Sequence, residues 1–360
     1  MANRSFSKVY RLQGIPPHIR SDGEVVDLVY AGRDQLLGYD VSIYSLATAL
    51  GSKTTKVATL MFSPRPCQAS KRRRTTVSQG QQQSALSGND LFIDAFSQTK
   101  DDLILDDNFL GWTPLNEIYQ DDCEIDCVAI SGIGSHPFGS WQPHGSNKEF
   151  MWLRDALPKL LPQARVVLYG YDTQLTNSSS FKRVEDIALS LVKDLRLVRN
   201  SAISQRDLVF LAHSLGGIVL KQALITLANS PGMIEWGHLE SLAGALFFGV
   251  PNHGMVVSHL RAIADGMPNQ RLVEQLRERS PYLARLEVDF SRTYEAGSLS
   301  KKLFFWGYET KESILPTVSP MVMGMILYDF VLTAMAVVYS VMQRQGHGPI
   351  VDQVRHKSNL

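Results

Sequence analysis

The chain has 360 residues, 44% of them hydrophobic and 20% charged, an ordinary globular composition with length enough for one large domain and a smaller one. Its 36 basic and 35 acidic side chains leave a formal net charge of +1, which excludes a strong long-range pull toward nucleic acid or an anionic membrane. Cys67, Cys123 and Cys127 form an odd, sparse set, so a disulfide-stapled secreted fold is excluded and an intracellular, cytoplasmic setting is expected.

The opening stretch MANRSFSKVYRLQG has no apolar core of signal-peptide length, so no secretion is expected. Lys8–Pro16, Val41–Ala47 and Lys56–Phe62 read as strands, with a helix over GEVVDLVYAG between the first two. That β-α-β-β order predicts a small α+β, ferredoxin-like domain over 1–66. RNA-recognition modules of this shape stack bases on sheet aromatics, but the third strand carries only Phe62, so no nucleic-acid partner is expected. Residues 67–90, rich in Gln and Ser with a basic block at Lys71–Arg74, read as a flexible linker.

From 91 to 317 the pattern changes. Short unbroken apolar runs appear at Cys127–Ser131, Arg165–Gly170, Asp207–Ala212, Gly244–Val250 and Lys302–Gly307, as in strands buried on both faces of a parallel sheet. Between them lie helical patterns, the best over Phe181–Val198, where apolar residues recur at three- and four-residue spacing. Alternation of this kind predicts an α/β domain, a mostly parallel sheet with helices on both faces. The helical stretch Met255–Leu299 reads as a cap.

The decisive run is LVFLAHSLGGIVLKQAL, Leu208–Leu224. A buried strand ends, a tight turn Ala212-His213-Ser214-Leu215-Gly216 follows, and a helix begins. A nucleophile elbow needs small residues two before and two after its serine, and Ala212 and Gly216 meet that demand. Ser214 is therefore the candidate nucleophile of an α/β-hydrolase fold, at a helix N-terminus whose dipole and free N–H groups favour an oxyanion. One oxyanion donor is the Leu215 N–H. The other is expected in the loop Gly132-Ile133-Gly134-Ser135-His136, where Gly132 lets the backbone approach closely and the Ile133 N–H donates. In this fold the acid follows the serine and the histidine comes last. Glu309, just past the run Lys302–Gly307, is the candidate acid, with Asp172 a weaker one. His356, preceded by Asp352 and followed by Ser358, is the better candidate base, over His347. Cys123 and Cys127 would make half a metal site, but no second Cys/His pair stands at zinc spacing, and neither metal nor organic cofactor is expected.

With these residues in view, the chain resembles a fungal family of serine esterases related to the serine active site-containing proteins and the lipase-like GPI inositol deacylases. The stretches that carry the resemblance are CVAISGIGSHPFGSWQP, FMWLRDALPKLLPQARVVLYGYDT, LVFLAHSLGGIVLKQAL, GALFFGVPNHG and FFWGYET. It implies a lipase-like fold with Ser214 as nucleophile and Glu309 as acid. Two positions depart from it. The first loop of the family opens with His-Gly, here Ser131-Gly132, and the family's Asp-His-Ser motif after the acid is replaced by the apolar segment Met321–Met342 and a polar tail, 318–360. That segment is long enough to span a bilayer, although Asp329 within it would be costly in lipid, so membrane contact or packing on the domain is expected.

Two functions follow. The first is a serine esterase or lipase acting on an ester or lipid-like substrate. The second, favoured by the missing Asp-His-Ser motif, is a weak or inactive hydrolase-like module for protein interaction or signalling.

Overall fold

The computed structural model describes residues 8–52, 54–65, 90–99, 101–119, 122–143, 149–175, 178–199, 206–230 and 232–307. Of the linker expected over 67–90 all but Asp90 lies outside them, as do the segment Met321–Met342, Glu309, His347 and His356. The chain divides into two compact units, Met1–Asp107 and Asn108–Leu360.

The first unit runs β1 (Val9–Ile15), α1 (Asp22–Tyr30), β2 (Tyr39–Thr48), β3 (Lys56–Pro64), α2 (Leu91–Ser97) and β4 (Ile104–Asp106). A capping box starts α1: the Ser21 hydroxyl accepts from the Glu24 N–H, and the Glu24 carboxylate accepts from the Ser21 N–H at 2.9 Å. Asp90 caps α2 by accepting from the Phe92 N–H at 3.0 Å. The four strands form an antiparallel sheet in the order β2-β3-β1-β4. That corrects the boundary expected near 90. Residues 91–107 belong to this unit, because β4 pairs with β1 and α2 lays Phe96 into the same core. With them the unit has the β-α-β-β-α-β order of a split β-α-β pair. Phe62 faces that core, stacked on Phe92 with ring centroids 4.2 Å apart.

The second unit runs β5 (Gly111–Pro114), β6 (Ile125–Ile130), α3 (Trp152–Asp155), α4 (Leu157–Leu160), β7 (Ala164–Gly170), α5 (Val184–Val198), β8 (Asp207–His213), α6 (Leu215–Ala228), α7 (Met233–Ser241), β9 (Leu242–Phe248), α8 (Ser258–Ala264), α9 (Gln270–Gln275), α10 (Pro281–Glu295) and β10 (Leu303–Gly307). Its sheet has the order β10-β9-β8-β6-β7-β5, and only the β5–β7 pair is antiparallel. Each apolar run expected to be a parallel strand is one, within two residues at either end. The helices cover both faces. Right-handed crossovers require it, because the step from β6 to β7 runs outward and the steps from β7 through β8 and β9 to β10 run back. This is an α/β-hydrolase fold: a mostly parallel sheet with the serine turn after a central strand.

Helix α5 buries Val184, Ile187, Ala188, Leu191, Val192 and Leu195, each such large side chain worth about 1.5–3 kcal/mol when fully removed from water. Phe181, expected on that dry face, is 77% exposed because the helix begins three residues later. Helix α6 is buried on nearly all sides, as a central helix must be. It even encloses Lys221, whose ammonium pairs with Glu287 of α10 at 2.5 Å and lies over the Phe290 and Trp306 rings. Burial pulls the Lys221 pKa below its ordinary value despite the Glu287 carboxylate. That contact corrects the cap reading for the 281–295 part of 255–299: α10 packs along α6 in the crossover between β9 and β10, and Tyr282 donates from its hydroxyl to Gln222 at 3.0 Å.

At the amino-terminal edge of the sheet, opposite the serine turn, Asp126 is buried among three guanidiniums. Arg165 reaches its Oδ1 at 2.6 Å, while Arg206, at 3.3 Å, and Arg199 both bond its Oδ2. Burial alone would raise the Asp126 pKa, but the arginines outweigh it and hold the carboxyl below its ordinary value. Nearby His238 is 4% exposed. Burial, with Arg199 and Arg196, pushes its pKa from 6.5 down to about 4. A base whose folded pKa is depressed stays neutral in the folded chain and charges first in the unfolded chain. Its contribution is therefore intact above pH 6.5 and is lost as pH falls toward 4. Urea denaturation midpoints should fall across that window by an amount equivalent to about 2–3 kcal/mol, and His238→Gln should flatten the profile. An equally steep profile in His238→Gln would place the titration elsewhere.

Candidate active site

Strand β8 carries the chain to the carboxyl edge of the sheet, where Ser214 turns it into α6. Ser214 has φ 52° and ψ −122°, one of three described non-glycine residues with positive φ. Such a conformation costs roughly 1–3 kcal/mol and persists only where the surroundings enforce it. They do so here through backbone bonds: the Ser214 N–H donates to the Phe248 carbonyl at 2.9 Å, and the Gly217 N–H donates to the Ser214 carbonyl at 3.0 Å.

Steric reasons for the small residues are visible in atomic detail. A Cβ on Gly216 would lie 2.6 Å from the carbonyl oxygens of Ile130 and Ser131, so α6 can sit against the end of β6 only with glycine there. Ala212, in place of the more usual glycine, is fully buried and fits. A Cβ on Gly132 would meet the Ser214 Cβ at 2.8 Å and its Oγ at 3.2 Å. The loop after β6 therefore runs directly against the serine, as its glycine content suggested.

Leu215 is the first residue of α6 and has no intrahelical acceptor for its N–H. Neither the Leu215 N–H nor the Ile133 N–H donates a hydrogen bond among the described residues. Leu215 follows Ser214 in the chain, and Ile133 follows Gly132, the residue that lies against the Ser214 side chain. Of the expected set, the structure brings Gly132 against Ser214, with Leu215 the next residue in the chain.

The other polar candidates are engaged in the fold. Asp172, after β7, accepts from the Gln174 N–H and the Ser178 hydroxyl, both at 3.0 Å. His136 turns inward and accepts at Nδ1 from the N–H groups of Phe138 (3.2 Å) and Gly139 (3.3 Å), shaping the loop. Cys123 and Cys127 are buried, with the Cys127 thiol pushed up to about 12 by burial and by Asp126, so neither is a ready thiolate. Among the described residues no group of three His, Cys, Asp or Glu side chains is placed to hold a metal ion. No helix among them is long and apolar enough to cross a membrane.

Three features near the serine escaped the sequence reading. Trp141 and Trp152 are buried together, 6.1 Å apart, and Trp141 lies 6.5 Å from Phe248, making an aromatic wall beside the turn. The Ser131 hydroxyl, where the family pattern has histidine, is buried without a hydrogen-bond partner. The Ser135 hydroxyl donates to the Gly132 carbonyl at 2.8 Å. Only the last had a local signal, a serine three residues after a glycine in a turn-like run.

No protein-family model matches this chain. Among curated proteins it is similar to Protein SERAC1 of Homo sapiens, 25% identical over 183 residues that cover 46% of this chain and 28% of that protein. Protein SERAC1 of Danio rerio is 30% identical over 145 residues, covering 39% of this chain and 22% of that protein. The matched stretch thus spans less than a third of the relatives' length. Among solved structures the chain is similar to Bacillus licheniformis lipase BlEst2 in its mature form, with TM-score 0.40, 15% identity, and 61% of this chain and 80% of that one covered. Phospholipase PlaB from Legionella pneumophila gives TM-score 0.36 and 14% identity over 53% of this chain and 40% of that one.

Proposed function

We propose that this chain is a serine hydrolase that cleaves a carboxylic ester of a lipid or acyl compound, with Ser214 as nucleophile. The observation that carries the reading is the strained Ser214 turn with Gly132 packed against it and two undonated N–H groups beside it. In the reaction, Ser214 Oγ attacks the ester carbonyl carbon and its proton passes to an imidazole, assigned to His356. The carbonyl oxygen, now negative, accepts from the N–H groups of Ile133 and Leu215. The imidazolium returns its proton to the departing alcohol, leaving an acyl-serine. Water then attacks the acyl carbon with the same imidazole as base, and Ser214 is regenerated. Glu309 is assigned to orient the imidazole. It follows β10 by two residues, which puts it in the expected chain order, serine then acid then histidine. No cofactor enters the scheme.

The test is labelling of the purified chain by a fluorophosphonate probe, which reports an activated serine. Labelling of the wild-type chain that disappears in Ser214→Ala is the expected result. No labelling of a folded wild-type chain would remove the assignment and leave the interaction-module reading.

Gly132→Ala tests the geometry of the same site. Its methyl group would stand 2.8 Å from the Ser214 Cβ, so the loop must retreat and carry the Ile133 N–H with it. Loss of one oxyanion donor costs about 10²–10³ in kcat. A fall of that size in nitrophenyl ester turnover is expected, with an unchanged circular dichroism spectrum. Turnover within about threefold of wild type would mean that the Ile133 N–H does not contribute, since a lost donor is worth far more.

A further inference from the structure

The second oxyanion donor is a backbone group in a glycine-rich loop, and such a loop does not hold a peptide plane by itself. In the 132–135 turn, Gly134 has φ +63°, and the Ser135 side chain closes the turn: its hydroxyl donates to the Gly132 carbonyl at 2.8 Å. The backbone of the same turn is anchored from the other side. The Gly134 N–H donates to the Thr173 carbonyl at 2.8 Å, and the Thr173 hydroxyl donates to the Ser135 carbonyl at 2.9 Å. Ser135 is thus fixed to the loop after β7, and its hydroxyl links that fixed point to the peptide joining Gly132 and Ile133. In a planar trans peptide the C=O and N–H point in opposite directions. Holding the Gly132 carbonyl toward Ser135 therefore holds the Ile133 N–H on the opposite side of the peptide.

We propose that Ser135 is a positioning residue for ester cleavage, its hydroxyl orienting the Gly132–Ile133 peptide so that the Ile133 N–H is preset to receive the oxyanion. The role deepens the serine-hydrolase reading and rests on it. It predicts a loss that appears in the transition state and not in substrate binding. The oxyanion carries its full charge only in the tetrahedral state, so a peptide free to rotate weakens that state more than the ground state.

The experiment compares wild type, Ser135→Ala and Ser135→Thr in turnover of a short-chain nitrophenyl ester and in inhibition by a trifluoromethyl ketone. That inhibitor adds Ser214 Oγ to its carbonyl and so forms the same oxyanion. Ser135→Ala is expected to lower kcat by about tenfold, part of the 10²–10³ that follows outright loss of a donor, with KM changed less than about twofold. The inhibition constant of the ketone should rise in parallel, by about tenfold. Ser135→Thr, which keeps the hydroxyl, should recover most of both. If Ser135→Ala leaves kcat and ketone inhibition near wild type, the proposal is wrong. It is equally overturned if Ser135→Thr falls as far as Ser135→Ala, or if KM and thermal stability decline together with kcat. Should Ser135→Ala fail to fold, the hydroxyl-retaining Ser135→Thr decides: wild-type kcat and ketone inhibition support the role, and a loss of both removes it. Failure of the underlying reading looks different: wild type itself would show neither fluorophosphonate labelling nor ketone binding dependent on Ser214, and both ideas would fall together.

Discussion

Ester turnover by Ser214→Ala is expected to drop by about 10⁴–10⁶ relative to wild type, the range seen when a hydrolase loses its nucleophile. The size of the effect follows from how the site is built. The turn holds Ser214 at φ 52° with its N–H committed to Phe248, so the residue stands at the N-terminus of α6 with Gly132 against its side chain. A serine hydroxyl is nonetheless a weak nucleophile without a positioned base. Nucleophile and base act as a unit, so His356→Ala should cost nearly as much as Ser214→Ala, and the double variant little more than either. Residual activity from oxyanion donors and binding alone is about 10³–10⁴ over water in well-studied triad enzymes. Steady-state kinetics on nitrophenyl esters read these differences directly. Turnover lost in Ser214→Ala and kept in His356→Ala would assign the base to a different group. Wild-type turnover already at the residual level would return the chain to the interaction-module reading.

Asp126→Asn should destabilise the second unit by about 3–5 kcal/mol, the cost of removing one partner from a buried ion pair. The carboxylate is 2% exposed and is the shared acceptor of Arg165, Arg199 and Arg206. Its neutral replacement leaves the Arg199 side chain, 1% exposed, with its charge uncompensated. The effect should depend on pH in a defined direction. The folded pKa of Asp126 lies below its ordinary 3.8, so the contribution is complete above that value and fades as pH falls below it. Wild type and Asp126→Asn should therefore differ most near neutrality and converge in acid, well below the window in which His238 titrates. Replacing Arg165, whose side chain is 20% exposed, should cost less than replacing Arg199. Urea denaturation of the four proteins measures these differences. A loss under about 1 kcal/mol for Asp126→Asn would show that the arginines find water instead, the ordinary outcome at an exposed pair.

The parts of this protein legible in its sequence are those governed by local rules. A strand buried on both faces must be apolar without a break, and each such run in the second unit marks a parallel strand. The elbow was legible because its demands are steric and local: Gly216 is small because a Cβ there would strike the carbonyls of Ile130 and Ser131, and the buried Ala212 meets the same demand for a small residue. The close approach of Gly132 could be anticipated on similar grounds, since a glycine-rich loop at the end of a strand admits a neighbouring backbone. The resemblance added the kinship with serine active site-containing proteins; the fungal group and the GPI inositol deacylases rest on that resemblance alone.

What local pattern could not decide is pairing over long separations. Short strand β4 has too few residues to show a period, and its pairing with Arg11, Leu12 and Gln13 of β1, together with Phe96 in the core, places 91–107 with the first unit. The stretch 255–299 has helical periodicity, but whether a helix caps a site or flanks a sheet depends on what its dry face meets. For α10 that face meets α6, down to the Lys221–Glu287 pair. Lys221 is a lone charge in an apolar run of sequence and is buried because α6 is enclosed on nearly all sides. Asp126 likewise looks like a strand-edge acid until β7, β8 and the end of α5 bring three arginines to it. The Ser135 contact combines both levels. Its turn chemistry is local, but the reason it matters lies more than 70 residues away, where β8 delivers Ser214 against Gly132. A sequence fixes the period and steric size of each element by itself, because those depend on neighbours in the chain. Partners across the fold are chosen by the packing of complete elements, and only the tertiary structure shows which side chains that packing brings together.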